Sequence, residues 1–219
     1  MKLFFQLVFA VCVIGMVGAC KNDKKVNKAE VADKQEVKEV MGASAYPVSL
    51  TESSIAWEGS KPTGKHNGTI GLSAGSIDVE NGEVVGGNFT IDMASIVNTD
   101  LDPDQKIKLE GHLKSPDFFD VATFPTATFA ITKVAKLAND ENATHLVYGN
   151  LKMKDAEKQI GFKANVSVDG GNVKVTTPQF VVNRADFNVK YGSKSFFDDL
   201  KDKYINDNIG MTINLMASK

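Results

Sequence analysis

Apolar and polar residues alternate along most of the chain after about residue 53. Apolar side chains recur at every second position, which is typical of strands that bury one face and expose the other. The alternating sets are Ile55 and Trp57; Ile70 and Leu72; Ile77 and Val79; Val85, Phe89, Ile91 and Met93; Ala127, Phe129 and Ile131; Val147, Leu151 and Met153; Ile160, Phe162, Ala164, Val166 and Val168; Val173 and Val175; and Ile209, Met211, Ile213 and Leu215.

Tight turns separate several of these sets. Glu80-Asn81-Gly82-Glu83 and Asp169-Gly170-Gly171-Asn172 predict two-residue hairpin loops, because Asn-Gly and Gly-Gly accept the positive φ angles that such loops need. Strands joined by short turns form antiparallel sandwiches or barrels. The pattern therefore predicts an all-β fold.

Helical signals interrupt the strand pattern in a few places. Asp102 and Pro103 form an N-cap and first helical residue, so we expect a helix that runs to about Lys114. Ser115-Pro116-Asp117 predicts a second short turn that carries Phe118 and Phe119, and residues 196–200 predict another. These segments are short insertions between strands, and we expect them to cover one end of a barrel.

The N-terminus carries a targeting signal. Lys2 precedes an apolar run from Leu3 to Val17, and small residues then lead to Cys20, which resembles a bacterial lipoprotein lipobox. This resemblance implies a signal peptide over 1–19 and a lipid attached to Cys20. A transmembrane anchor is the alternative, since the run is just long enough to approach a span. Cys12 is the only other cysteine, so the mature chain would have no disulfide and no cysteine metal site.

A charged segment follows Cys20. Residues 21–45 contain no aromatic residue and many Lys, Glu and Asp, so we expect 20–45 to be a flexible tether with a span of roughly 25 to 30 Å. Residues 46–219 then form one domain. The net charge is −2, and acidic and basic residues are interspersed, which argues against nucleic-acid binding.

Motifs that resemble catalytic or metal sites lack the context that they need. Gly71-Leu72-Ser73-Ala74-Gly75 matches a nucleophile elbow, but strand pattern lies on both sides of it rather than a strand followed by a helix. Residues 100–104 begin like a calcium loop, yet Gln105 and Gly111 replace its required Gly and Glu. His66, His112 and His145 have no paired spacing. We therefore expect no catalytic residue, no metal and no cofactor other than a bound lipid.

Arg184 is the only arginine in the chain. Its guanidinium fork suits a carboxylate or phosphate better than a lysine does. Two interpretations follow. Arg184 either forms a partly buried ion pair that fixes a loop, with Asp117, Asp120 or Asp186 as partner, or it contacts a ligand head group. The first is favoured.

Several segments in order resemble the YceI-like family. Residues 111–121, with the sequence GHLKSPDFFDV, are followed by FPTATF at 124–129, by YGNLKMK at 148–154 and by RADFNVKYG at 184–192. The resemblance extends from about Ser53 to Ala217. Two positions depart from the family pattern: Asp155 replaces a common glycine, and Asn183 stands where many relatives have Asp.

The resemblance implies an extended, lipocalin-like antiparallel β-barrel of about eight strands with short helical insertions. It also implies a long apolar pocket that binds a polyisoprenoid or other long-chain amphiphile in the periplasm. We expect the ligand to contact some of the following residues: Trp57, His112, Phe118, Phe119, Phe129, Arg184, Phe187 and Tyr191.

Three functions fit these expectations. The first is a lipid-binding protein that stores, buffers or transports its ligand, tethered to a membrane by Cys20 on the periplasmic or outer-membrane side of the bacterial cell envelope. The second is a structural or interaction lipoprotein whose barrel is filled by its own side chains. The third is an enzyme that acts on a lipid. A homodimer is compatible with each.

Overall fold

The computed structural model describes residues 27–38 and 40–219. The predicted signal peptide, the predicted lipid-attachment residue Cys20 and the first part of the predicted tether lie outside these residues. No helix in the described ranges is both long enough and apolar enough to span a membrane.

An eight-stranded antiparallel ring forms the body of the molecule, which confirms the predicted all-β barrel. Each strand of the ring pairs with the next, and the last strand, Asn208–Ser218, closes the ring by pairing with the first, Ser54–Lys61. The ring strands are β4 (Ser54–Lys61), β5 (Gly64–Glu80), β6 (Glu83–Asn98), β7 (Thr126–Lys136), β8 (His145–Met153), β9 (Ala156–Asp169), β10 (Asn172–Thr176) and β12 (Asn208–Ser218). Further short strands flank the ring: β1 (Asn27–Lys28), β2 (Glu30–Asp33), β3 (Ser44–Pro47) and β11 (Phe180–Asn183).

Both predicted hairpin loops are confirmed. Asn81 and Gly82 connect β5 to β6 with φ angles of 51° and 79°, and Gly170 and Gly171 connect β9 to β10 with φ angles of 55° and 86°. Positive φ at both central residues defines the turn whose twist matches that of the flanking strands. These loops lie at one end of the barrel, which we call the hairpin end.

The opposite end, which we call the helix end, carries α1 (Pro103–Lys114). The Asp102 side chain accepts a hydrogen bond from the Gln105 backbone N–H at 3.1 Å, and Pro103 opens the helix, so the predicted start and end of α1 are both confirmed. The long segment between β11 and β12 lies at the same end and contains two 3₁₀ turns, Arg184–Phe187 and Lys201–Lys203.

The predicted turn after α1 is present. The Ser115 carbonyl accepts hydrogen bonds from the N–H groups of Phe118 and Asp120, at 3.0 and 2.8 Å. A similar turn begins at Ser193, whose carbonyl accepts from Phe196 and Phe197 at 3.2 and 3.0 Å. The two turns differ in burial, because Phe118 joins the core whereas Phe196 and Phe197 are exposed.

The N-terminal segment differs from the flexible tether expected over residues 20–45. β1 pairs with β11 in parallel, and β2 pairs with β9 in antiparallel. The two strands fill a gap in the barrel wall, because β9 pairs with β10 only over Asn165–Asp169, and β11 pairs with β12 rather than with β9. We call this gap, between residues 156–164 of β9 and β11, the seam. Backbone pairing stabilises the segment there, so its charged composition does not prevent it from being ordered.

Candidate functional site

A cavity of about 340 Å³ occupies the interior of the barrel. This volume lies within the range that is usual for small-molecule sites. The cavity extends from Lys61 at the helix end to Ile77 and Val84, close to the hairpin end. Inward-facing apolar side chains make up most of its wall, among them Ile55, Trp57, Leu72, Phe89, Met93, Phe129, Ile131, Leu151, Ile160, Phe162, Phe180, Val182, Met211 and Leu215.

Polar side chains of the cavity wall are confined to the helix end. They are Ser60, Lys61, His66, His112 and Arg184. The end of β4 supplies the first two, the start of β5 supplies His66, α1 supplies His112, and the chain after β11 supplies Arg184. The cavity is therefore apolar along the barrel axis and polar at one end, which is the arrangement expected for an amphiphile.

His112 has an unused polar atom in this wall. Its ring lies 4.5 Å from the Tyr191 ring and 5.9 Å from the Phe118 ring, measured between centroids. The Nε2 atom is buried and has no hydrogen-bond partner among the described residues. A buried polar atom without a partner costs about 1 to 3 kcal/mol. A ligand with a polar group at this position would relieve that cost.

His66 is already paired. Its Nδ1 atom lies 3.0 Å from Asp100 Oδ2, and Asp100 Oδ1 accepts hydrogen bonds from the Asn67 N–H and the Asn98 side-chain amide. Burial raises the pKa of the Asp100 carboxyl, but the bonds from Asn67, His66 and Asn98 together bring the pKa below its usual value. This cluster fixes the start of β5 to the end of β6.

Arg184 is fully buried, and its guanidinium group bonds mainly to backbone. Three of its nitrogens donate to carbonyl oxygens: Nε to Asn206 at 3.3 Å, one terminal nitrogen to Val189 at 2.9 Å, and the other to Ile205 at 3.2 Å. The guanidinium also lies 5.3 Å from the centre of the Phe118 ring, a cation–π distance. Arg184 therefore holds the segment between β11 and β12 against the turn after α1.

Asp207 is the ionic partner of Arg184. A terminal guanidinium nitrogen lies 3.2 Å from Asp207 Oδ1, and the contact is an ion pair without a hydrogen bond. Burial lowers the pKa of Arg184, and the negative charge of Asp207 opposes that shift. The three partners named from the sequence, Asp117, Asp120 and Asp186, are wrong, although the loop-fixing interpretation matches the contacts that Arg184 makes.

The predicted ligand contacts divide into two groups. Trp57, His112, Phe118, Phe119, Phe129 and Arg184 line the cavity. Phe187 and Tyr191 do not: Phe187 is fully buried in the core, and Tyr191 is 45% exposed and packs on the outer side of His112. The adjacent Phe118 and Phe119 form part of the cavity wall at the helix end, with their rings 4.9 Å apart and nearly perpendicular.

Two glycines make room for aromatic rings of the wall. A Cβ atom at Gly149 would overlap the Phe129 ring, and one at Gly68 would overlap the Trp57 indole. The same close approach lets the Trp57 Nε1–H donate to the Thr69 carbonyl at 3.3 Å. The positions of both rings, and so the shape of the cavity, depend on the absence of these side chains.

Several wall residues were not singled out from the sequence. Met93, Phe162 and Met211 belong to the alternating sets, so their inward direction was available from the pattern. Phe180 of β11 was not, because this strand is short and no alternating set was assigned to it.

The motifs that resembled catalytic sites have structural roles. Gly71–Gly75 lies within β5, so Ser73 is not at a strand-to-helix turn. Asp102 caps α1. Within residues 27–38 and 40–219, no group of three or more His, Cys, Asp or Glu side chains is arranged to hold a metal ion.

The sequence from the end of β3 to the end of β12 matches a known domain family. The family model of the YceI-like domain covers residues 46–217. The chain belongs to the YceI-like family. No curated protein matches it in a direct comparison.

Two solved structures share the fold of this chain. BcnA from Burkholderia cenocepacia aligns with a TM-score of 0.61 and 20% identity, over 78% of this chain and 99% of its own. A polyisoprenoid binding domain from Saccharophagus degradans, implicated in plant cell wall breakdown, aligns with a TM-score of 0.56 and 19% identity, over 79% of this chain and 97% of its own. At these identities the likeness shows a common fold and nothing more.

Proposed function

We propose that this YceI-like protein binds a long-chain amphiphile, of which a polyisoprenoid is the leading candidate, and holds it for storage or transport in the bacterial cell envelope. The apolar chain of the ligand would lie along the barrel axis and its polar head at the helix end. The observation that carries this proposal is the cavity, whose wall is apolar along its length and polar only at the helix end. The polyisoprenoid-binding domain from Saccharophagus degradans, which shares the fold, supports the ligand class.

Transfer of a lipid chain from a bilayer to this cavity exchanges one apolar environment for another. The large hydrophobic term, about 25 cal/mol per Å² relative to water, therefore nearly cancels. Selectivity then depends on the shape of the cavity and on polar contacts at its end. His112 is the strongest candidate for such a contact, because its Nε2 atom is buried without a partner among the described residues.

The first experiment asks whether the protein carries a lipid from its host. The chain is expressed with residues 27–219 intact, purified without detergent, and examined by native mass spectrometry followed by solvent extraction. A discrete added mass that is released as an isoprenoid or another long-chain lipid supports the proposal. An apo mass, combined with no uptake of added farnesol or cis-parinaric acid, would favour a structural or interaction protein.

Trp57 provides an internal reporter for binding, since it is the only tryptophan and lines the cavity. Energy transfer from Trp57 to bound cis-parinaric acid measures the affinity of this fluorescent chain. Displacement by farnesol, by farnesyl diphosphate and by the hydrocarbon farnesene then compares head groups on one isoprenoid chain. We expect both head-bearing ligands to bind more tightly than farnesene.

A His112→Phe variant tests the polar end. Phenylalanine keeps the ring packing against Phe118 and Tyr191 but removes Nε2, so we expect affinity for farnesol to fall about tenfold, or 1.4 kcal/mol, with no loss for farnesene. His145→Phe is the matched control, because His145 lies outside the cavity wall at the start of β8. Equal losses for farnesol and farnesene in His112→Phe would show that the ring acts only through packing.

Attachment to a membrane through acylated Cys20 completes the proposal and rests on the lipobox resemblance. Several acyl chains on one cysteine would anchor the protein firmly, whereas one chain anchors only marginally. An enzyme that acts on a bound lipid is the weakest alternative, since Arg184 and the carboxylate nearest to it, Asp207, are engaged in fixing a loop.

A further inference from the structure

We propose that residues 27–33 are a detachable strand of the barrel wall, and that their release opens a side passage through which the lipid reaches the cavity. The passage coincides with the seam between β9 and β11. This inference rests on the proposed lipid-binding function, because a passage needs a ligand. The opening itself can be measured without one.

The seam is closed at both of its ends. Toward the hairpin end, β9 pairs with β10 from Asn165 onward. Toward the helix end, the Asn188 side chain donates to Asp155 Oδ1 at 3.0 Å, which links the start of β9 to the turn after β11. Between these two links, the backbones of β9 and β11 are not paired with each other, and the inserted segment bridges them, with Glu30–Asp33 on β9 and Asn27–Lys28 on β11.

The segment is held mainly by backbone pairing. Ala29 is its one buried side chain, and the Ala29 N–H donates to the Val181 carbonyl at 2.9 Å. Two side-chain contacts add to the backbone pairing: the Tyr148 hydroxyl donates to Glu30 Oε2 at 3.0 Å, and Asp33 forms an ion pair with Lys158. Both contacts are exposed to solvent, where such pairs contribute little stability. A short strand with one buried side chain belongs to the part of a structure that opens most readily.

The cavity wall lies directly beneath the segment. The Phe162 ring of β9 and the Phe180 ring of β11 stack across the seam, with centroids 4.5 Å apart and an angle of 8° between the rings. Both rings line the cavity, as do Ile160 and Val182 on the two edges. Release of the segment would leave this aromatic pair as the remaining barrier, and rotation of two rings would then open an apolar path.

The helix end is held more strongly than the seam. Arg184 fixes the chain there through three backbone carbonyls and a buried ion pair. A passage at that end would break buried charged contacts, whereas the seam requires the loss of a few backbone bonds and surface contacts. A side passage also lets a long chain enter sideways instead of being threaded along the axis.

Hydrogen exchange tests the opening directly. In the full-length protein without ligand, we expect the backbone amides of residues 27–33 to exchange together, at least about tenfold faster than those of β7 and β8. Protection equal to that of β7 and β8 would overturn the proposal, since the segment would then open only when the barrel unfolds. This result does not depend on lipid binding.

A disulfide lock tests the passage. Ala32 and Gln159 are directly paired on β2 and β9, so the Ala32→Cys, Gln159→Cys variant can join the two strands. Oxidation should slow both uptake and release of cis-parinaric acid at least about tenfold, leave the affinity unchanged, and be reversed by reductant. The matched control is Thr128→Cys, Lys152→Cys, which joins β7 to β8 on exposed positions and should change neither rate.

The outcomes separate the two proposals. Fast exchange of the segment with unaltered lipid kinetics in the oxidised lock would overturn the passage and indicate access at the helix end. Absence of probe binding in the reduced lock and in the wild-type protein would instead count against the lipid-binding function, and the passage would fail with it.

Discussion

The role of Arg184 can be tested with the Arg184→Lys substitution. Lysine keeps the positive charge but presents its donors from one point, so it cannot reach the carbonyls of Val189, Ile205 and Asn206 together. If two of the three charge-assisted bonds are lost, at about 1.5 to 3 kcal/mol each, the free energy of unfolding falls by about 3 kcal/mol or more. For a chain of this size that loss corresponds to a Tm about 6 to 12 °C lower.

Thermal and denaturant unfolding measure this loss of stability. Lipid displacement tests the alternative, in which Arg184 contacts the head group of the ligand. We expect the ratio of affinities for farnesyl diphosphate and farnesol to stay within about twofold of wild type, because the Arg184 donors are occupied by backbone. Lys61→Met is the matched control: it removes a positive charge from the same end of the cavity without breaking carbonyl bonds, so its Tm should change by less than about 2 °C.

The opposite pattern of results would contradict a structural role for Arg184. A Tm for Arg184→Lys within about 2 °C of wild type, together with a selective loss of farnesyl diphosphate binding, would mean that the guanidinium serves the ligand rather than the loop. Asp207→Asn adds a second measurement. It removes the charge that faces Arg184 and should also destabilise the protein.

Three further predictions concern the cavity, the stability at low pH and the lipid anchor. Gly149→Ala should displace the Phe129 ring, lower the free energy of unfolding by about 1 to 3 kcal/mol and weaken cis-parinaric acid binding. The control Gly111→Ala, on an open face of α1, should slightly stabilise the protein. Unchanged binding in Gly149→Ala would contradict the packing of Phe129 against Gly149. Because the pKa of Asp100 is lowered in the folded state, its carboxylate stabilises the fold above the ordinary pKa of 3.8, and this stabilisation is lost as the pH falls through the lower folded pKa. Asp100→Asn should therefore be less stable than wild type at pH 6, and acid titrations of unfolding should show that the difference shrinks below about pH 3.8. A difference that stays constant with pH would contradict this linkage. Cys20→Ser should release the protein from membranes in cell fractionation, while continued retention would indicate an uncleaved N-terminal helix.

Local patterns in the sequence predicted the barrel and its helical insertion well. The N-cap at Asp102 and the Asn81-Gly82 hairpin loop are determined by neighbouring residues, so they could be recognised without the fold. One inward position was misassigned. Val84 lines the cavity and Val85 does not, because the pairing of β5 with β6 shifts register between Asp78 and Val79, and a bulge changes which residues face inward.

Contacts between distant parts of the chain were beyond local patterns. Asp207 meets Arg184 only because a long segment returns to the helix end, and nothing in the spacing marks that return. The N-terminal strands have the charged composition of a disordered segment, but backbone hydrogen bonds to existing strand edges require no particular side chains. The composition therefore predicted that this segment is exposed to solvent, but it did not predict that the segment forms paired strands.

The position of β1 limits how far the barrel can stand from its proposed anchor. Seven peptide units separate Cys20 from Asn27, so the first paired residue can lie at most about 25 Å from an acylated cysteine. An anchored protein would thus hold one defined side of its barrel near the bilayer surface, because so short a linker would restrict its rotation. Lengthening this connection with a flexible insert would change the orientation of the molecule while leaving its fold and its anchor intact.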